Sequence, residues 1–214
     1  MELILVPTAH VSKKSIELVK KTINEEKPDL IAVELDKQRA MSLLSGKKPD
    51  LLTLLKNPGF LFMYSAQQII GFILKSTPGE EMKTALLEAG KNNIPILLSD
   101  LPIQYTMQNL KKIPFREKLK LITPMKIKGI DSIEKLTNPK ELRPLLIQIK
   151  ERYPNTYKYL IEDRNNFIFN KIINSKQTKI VGVYGAGHIP GLEDLIKEYN
   201  LINLENKIQL KVIG

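Results

Sequence analysis

The chain of 214 residues has two histidines, His10 and His188, and no cysteine, so these are its only imidazole or thiolate donors for a metal ion. Each follows a short apolar run and a turn of small residues. Leu3-Ile4-Leu5-Val6-Pro7-Thr8-Ala9 precedes His10, and Ile180-Val181-Gly182-Val183-Tyr184-Gly185-Ala186-Gly187 precedes His188. Small residues let the backbone turn sharply, so that the imidazole projects into a crevice and not into the core. A third run, Leu30-Ile31-Ala32-Val33, closes on Glu34-Leu35-Asp36. A carboxylate at the end of a buried strand is expensive unless it is paired or bound to a cation. Two His and one Glu would form a normal set of ligands for Zn²⁺, Mn²⁺ or Co²⁺, with positions left open for water. Without metal, the same trio could activate water as a His–Glu acid/base system. Asp36 and Asp100, the latter after Ile96-Leu97-Leu98-Ser99, lie at comparable edges.

Plainer roles are available to each residue alone. A single His near a strand end is commonly a hydrogen-bonded structural group. Glu34 could cap the following helix or pair with Arg39, and Asp100 could simply open the loop at Leu101-Pro102. The recurrence of the pattern argues for chemistry. Two His in matching turns, with Glu34 at a neighbouring edge, are hard to explain as packing.

The elements that must position these groups follow from the hydrophobic pattern. The three runs, together with Ile94-Pro95-Ile96-Leu97-Leu98, are apolar without alternation, as in strands buried on both faces. Between the first two, Ser15 to Glu26 places Ile16, Val19, Lys20 and Ile23 on one helical stripe, with Ser12 as cap and Pro28-Asp29 as terminator. Strand, helix, strand at this length is a βαβ unit, which implies an α/β fold with a mainly parallel central sheet. The C-terminal part repeats the scheme: the strand before His188, a helix from Leu192 to Tyr199, and the strand Ile208 to Ile213. The sheet is therefore expected to contain two duplicated strand–turn–His–helix–strand units. One domain over residues 1–214 is expected, with helical insertions at about 37–77 and 111–175, the second divided into several helices by Pro114, Pro124, Pro139, Pro144 and Pro154. In the first insertion, Gly59 to Leu74 is strongly apolar, but it is shorter than the ~20 residues of a spanning helix and carries Gln67 and Gln68 at its centre. A buried or covering helix is the reading.

Composition narrows the function classes. The 43% hydrophobic content supports a sizeable core without staples, and the absence of Cys excludes disulfides, thiolate metal sites and a cysteine nucleophile. It also fits a reducing, cytoplasmic setting. A net charge of +10 invites a nucleic-acid reading, but Lys is spread along the chain and repeatedly accompanied by Glu, and there is no Trp for a stacking platform. No nucleic-acid partner is expected; the Ile-, Lys- and Glu-rich surface resembles that of a heat-adapted protein. Met1 leads directly into Leu3–Val6, with no basic segment or cleavage site, and is read as a first strand and not a signal peptide.

Four segments, in order along nearly the whole chain, resemble TraB/PrgY-domain (pheromone-shutdown) proteins. They are Pro7-Thr8-Ala9-His10-Val11-Ser12 with Pro28 to Arg39, then Pro78-Gly79-Glu80-Glu81-Met82, Tyr153-Pro154 through Leu160-Ile161-Glu162-Asp163-Arg164-Asn165, and Gly185-Ala186-Gly187-His188-Ile189-Pro190-Gly191. The family is related to the Tiki proteases and to erythromycin-esterase-like and ChaN-like proteins. The resemblance implies an active centre of His10, Glu34 and His188, metal-dependent in the Tiki proteases. Arg164 would hold a substrate carboxylate or an oxyanion, and Glu81 would face the same crevice. Their plain alternatives are a salt bridge to Asp163 or Glu162 and a first-turn helix charge. The sequence departs from the family at Pro7, at Leu101-Pro102 and at Asn165, where Gly, Arg-Asp and an acidic residue are usual.

The function implied is a metal-dependent hydrolase, acting as a peptidase or on another small substrate. The alternative is a non-catalytic peptide-binding module of the pheromone-shutdown type, and metal or haem handling of the ChaN-like kind is a weaker third. A homo-oligomer stays open, and membrane contact is expected only if the natural chain continues into a C-terminal anchor.

Overall fold

The computed structural model describes residues 1–8, 13–46, 79–122 and 139–213. His10, Ser12, Pro124 and the apolar segment 59–74 lie outside the described residues. Five strands form one parallel sheet: β1 (Glu2–Thr8), β2 (Leu30–Val33), β3 (Ile96–Leu98), β4 (Lys179–Gly185) and β5 (Gln209–Val212), in the order β3-β2-β4-β1-β5. The helices are α1 (Lys13–Glu26), α2 (Lys37–Ser45), α3 (Glu80–Lys91), α4 (Ile103–Lys111), α5 (Phe115–Ile122), α6 (Pro139–Arg152), α7 (Pro154–Tyr157), α8 (Asp163–Ile173) and α9 (Ile189–Ile202). A π-turn, Lys158–Glu162, joins α7 to α8, and a 3₁₀ turn, Ala186–His188, joins β4 to α9. Among the described residues, no helix is long and apolar enough to cross a membrane.

The continuous apolar runs become strands covered on both faces, as the pattern predicts. Ile4, Val6, Ile31, Val33, Val181 and Val183 pack with Val19, Ile23, Met82, Ala85 and Ala89 of α1 and α3. Leu3, Leu5, Ala32, Ile180 and Tyr184 meet Ile168 and Ile172 of α8 and Leu192 and Ile196 of α9 on the other face. The helices between β3 and β4 add a third cluster, including Leu110, Leu121, Leu145, Ile149 and Tyr153, which reaches Ala186 in the turn before His188.

The strand order matters for the site. In sequence, β1 leads through α1 to β2, yet β4 lies between β1 and β2; likewise β4 leads through α9 to β5, with β1 between them. The two strand–helix–strand units are thus interleaved. Thr8 is registered against Gly185, and Val33 against Val183, so β1, β2 and β4 reach the same carboxyl edge together.

Three local expectations differ from what forms. Ile94–Leu98 does not make a strand covered on both faces: β3 is a three-residue edge strand with Ile96 39% exposed. Pro95 lacks the N–H a central strand needs, which suits an edge position. Lys20 is exposed, and the inward stripe of α1 is Ser15, Val19, Thr22 and Ile23. Pro144 does not separate helices but lies inside α6. The hydrogen bond it removes is offset by burial of Leu142, Leu145, Leu146 and Ile149 along that helix.

Candidate functional site

Glu34 is the first residue beyond β2, and its N–H donates to Val183 O, so the strand ladder delivers its side chain to the carboxyl edge. There Oε2 accepts the Gly185 N–H at 2.6 Å, and Oε1 accepts Arg164 Nη2 at 2.5 Å. A Cβ at position 185 would stand 3.1 Å from Oε2, so glycine eases the close approach of the Glu34 carboxylate to this backbone.

Arg164 comes from the first turn of α8, directly after the π-turn. The extra residue in such a turn rephases the helix that follows, and π-turns are frequent at functional sites. Arg164 Nη1 donates to Leu160 O within it, at 3.4 Å. Nε and Nη2 also bind Asp100, at 2.9 and 2.5 Å. Asp100 accepts the Leu101 N–H at 2.7 Å and Arg39 Nη2 at 2.6 Å. Asp36 closes the outer end: it caps α2 by accepting the Arg39 N–H and binds Arg39 Nε at 2.8 Å. The result is a chain of charges, Asp36–Arg39–Asp100–Arg164–Glu34, running from a half-buried arginine into the protein. Beneath it, Tyr184 and Ser99 share a 2.8 Å hydrogen bond, and Ser99 Oγ donates to Val33 O.

His188 ends the 3₁₀ turn, 2% exposed. Its Nδ1 lies 2.6 Å from Asn165 Oδ1. Its Nε2 is 3.4 Å from Glu34 Oε1, within ion-pair reach but without the alignment of a hydrogen bond, and has no hydrogen-bond partner among the described residues.

The electrostatics follow from this packing. Burial alone would raise the Glu34 carboxyl; His188, the Arg164 guanidinium and the Gly185 N–H together hold it well below the usual range. Asp100 is likewise lowered against its burial, by Arg164 and Arg39. Burial works against the charge on Arg164, yet Asp100 and Glu34 raise its pKa further above an already high value. The phenol of Tyr184 is pushed up by burial, with the Glu34 and Asp100 charges adding to it.

Glu34, Asp36, Asp100, Arg164 and His188 are therefore one connected group. Asp163 and Glu162 pair instead with Lys158 and Lys150, which leaves Arg164 to the site. Glu81 is in the first turn of α3, 1% exposed; among the described residues its Oε1 has no hydrogen-bond partner and no hydrogen bond joins it to Glu34 or Arg164. Sequence reasoning missed the bond from Arg39 to Asp100, the Gly185 N–H and the contact of Asn165 with His188. Adjacency of Asn165 to Arg164 was the one signal for the last. Among the described residues, no three His, Asp or Glu side chains form a metal-binding group. His188 Nε2 and Glu34 Oε1 supply a nitrogen–oxygen pair that a further donor could complete.

The chain that brings together this strand-end glutamate, this histidine after a Gly-Ala-Gly turn and this buried arginine matches the model of the TraB/PrgY/gumN family over residues 2–200. The chain belongs to this family. The chain is similar to the uncharacterized protein MJ1365 of Methanocaldococcus jannaschii, 35% identical over 98% of this chain and 58% of that protein. TraB domain-containing proteins of Mus musculus and Homo sapiens are each 25% identical over 88% of this chain and 61% of their own length. The chain thus spans about three fifths of the curated relatives it matches.

Proposed function

We propose that this TraB-family domain is a metal-dependent hydrolase, acting as a peptidase or on another small substrate, in which His10, His188 and Glu34 hold a divalent ion (Mn²⁺, Co²⁺ or Zn²⁺). The observation that carries the reading is His188 Nε2, a buried ring nitrogen with no hydrogen-bond partner among the described residues, 3.4 Å from a carboxylate oxygen. Buried polar atoms are nearly always satisfied, and an orphan at a sheet edge suits a ligand that is bound in use. The donors fit: a ring nitrogen beside a carboxylate matches the nitrogen and oxygen ligands of these metals.

A divalent ion held there would supply an acidified water and polarise a carbonyl. The chain's own groups divide the remaining work. Glu34 stays ionised and stationary, fixed at one oxygen by Gly185 and at the other by Arg164. It is better suited to hold a cation than to take up a proton, because its carboxyl is held well below the usual range. Arg164 is 5% exposed with its donors on Glu34, Asp100 and Leu160 O, so it steadies negative charge through those carboxylates. A reducing, cytoplasmic setting is part of the same reading.

The engagement of Arg164 with two carboxylates and a backbone carbonyl favours a second reading, a module that captures peptides without cutting them. Equilibrium dialysis with Mn²⁺, Co²⁺ and Zn²⁺, combined with mass spectrometry of a peptide mixture, separates the two. Stoichiometric metal with cleavage lost in His188→Ala supports the hydrolase. Peptide retained intact supports the module. Cleavage unchanged in His188→Ala, with no bound metal, would remove the proposal.

A further inference from the structure

His188 has two ring nitrogens, and the use of one depends on what holds the other. Asn165 Oδ1 lies 2.6 Å from Nδ1. Two lone pairs cannot face each other at that distance, so a proton must lie on Nδ1 whenever Asn165 presents its oxygen. The contact of Nε2 with Glu34 Oε1 is 3.4 Å and poorly aligned, and does not require a proton. In neutral imidazole, only one nitrogen carries the proton.

The other half of the Asn165 amide explains the turn after His188. Its Nδ2 packs against Gly191, where any Cβ would collide with it. Asn165 is 3% exposed and Gly191 is in the first turn of α9, so a Cβ at 191 requires the amide to shift. A side chain at position 191 would drive the amide off the imidazole.

We infer that Asn165, given room by Gly191, is the positioning residue that fixes His188 with its proton on Nδ1, so that Nε2, on the Glu34 side, is the nitrogen left for a cation between the two. The inference rests on the hydrolase reading for its purpose, not for its geometry. Free histidine prefers the opposite tautomer, with the proton on Nε2, which would block that nitrogen as a ligand. Second residues that orient a ligating histidine in this way typically contribute 10–100-fold in metal affinity.

The chain contains only two histidines, so the experiment is direct. Full-length protein labelled with ¹⁵N-histidine, with His10→Ala for assignment, is read by long-range ¹H–¹⁵N correlation at about pH 8.5, where ordinary imidazole is neutral. The expected spectrum shows His188 protonated on Nδ1. Asn165→Leu and Gly191→Val should move the proton to Nε2, and Asn165→Asp, which still accepts from Nδ1, should restore the original pattern. Binding of Co²⁺ or Zn²⁺ should weaken about 10–100-fold in Asn165→Leu and only a few-fold in Asn165→Asp. Wild-type His188 protonated on Nε2, or on both nitrogens, overturns the inference even if no variant folds. The expected tautomer pattern, with no metal bound by any form, leaves the inference standing and removes the metal-dependent reading.

Discussion

Glu34 and Asp100 share a single nitrogen: Arg164 Nη2 donates to Glu34 Oε1 and to Asp100 Oδ2, at 2.5 Å each. The two carboxylates stand just past the ends of neighbouring strands, β2 and β3, and are 6% and 3% exposed. Without a cation between them they would repel across a medium that screens poorly. Arg164 is therefore the group on which both strand ends depend.

Replacing Arg164 with Met should cost about 3–5 kcal/mol of stability, because it leaves buried charges unpaired. Arg164→Lys should recover little of this, since a point ammonium cannot reproduce the planar fork that meets two carboxylates and Leu160 O. Denaturant midpoints measure both. A loss below about 1 kcal/mol in Arg164→Met would contradict the arrangement.

Arg39 makes a graded comparison. It touches the same Asp100 oxygen, but its side chain is 24% exposed and Asp100 retains Arg164 when it is gone. Arg39→Ala should cost about 1–2 kcal/mol, clearly less than Arg164→Met. Equal losses would show that Arg39 matters to these carboxylates as much as Arg164 does.

The pH dependence has a defined sign. Glu34 and Asp100 have pKa values lowered in the folded protein, so the unfolded chain binds more protons in acid. Their contribution should be complete above the ordinary carboxylate range, near about pH 4, and be lost as pH falls through the lowered values. Urea midpoints measured from neutral pH downward should fall in that window. In Glu34→Gln the fall should be shallower, even though the variant starts from lower stability.

A fourth test concerns a residue distant from the site. Glu117 in α5 accepts the backbone N–H groups of Asn155 and Thr156, and also Asn155 Nδ2 and Thr156 Oγ1. It thereby caps the helical run that leads through the π-turn to Arg164. Glu117→Ala should cost about 1–3 kcal/mol. Hydrogen exchange should accelerate over residues 154–162 while β1 keeps its protection; acceleration spread evenly over both would refute the local role.

The parts of this structure that were legible in the sequence are those written in one short stretch. Leu3–Val6, Leu30–Val33 and Ile180–Val183 read as strands because each is a dense apolar run between turn residues. Glu34, Asp100 and His188 read as edge residues because each stands within a few residues of the end of such a run. The Pro-based division at Pro144 failed because burial of Leu145, Leu146 and Ile149 outweighs one missing hydrogen bond. The links that make the site one object were not legible. Glu34 and Arg164 are 130 residues apart, and nothing local to either encodes their contact. The amide of Asn165 was visible only as a residue next to Arg164, because its value lies in where a π-turn and Gly191 place it.

The interleaved strand order also sets a timetable. β1 is synthesised well before both its neighbours, β4 and β5, which come from residues 179 onward. Until those residues emerge, this apolar strand lacks both its sheet partners, and Glu34 lacks the Gly185 N–H that holds it. Long-range pairing of this kind slows folding. A ribosome-bound chain halted before β4 is therefore expected to expose Leu3–Val6 to chaperones, and the site arises only when β4 and the turn after it arrive.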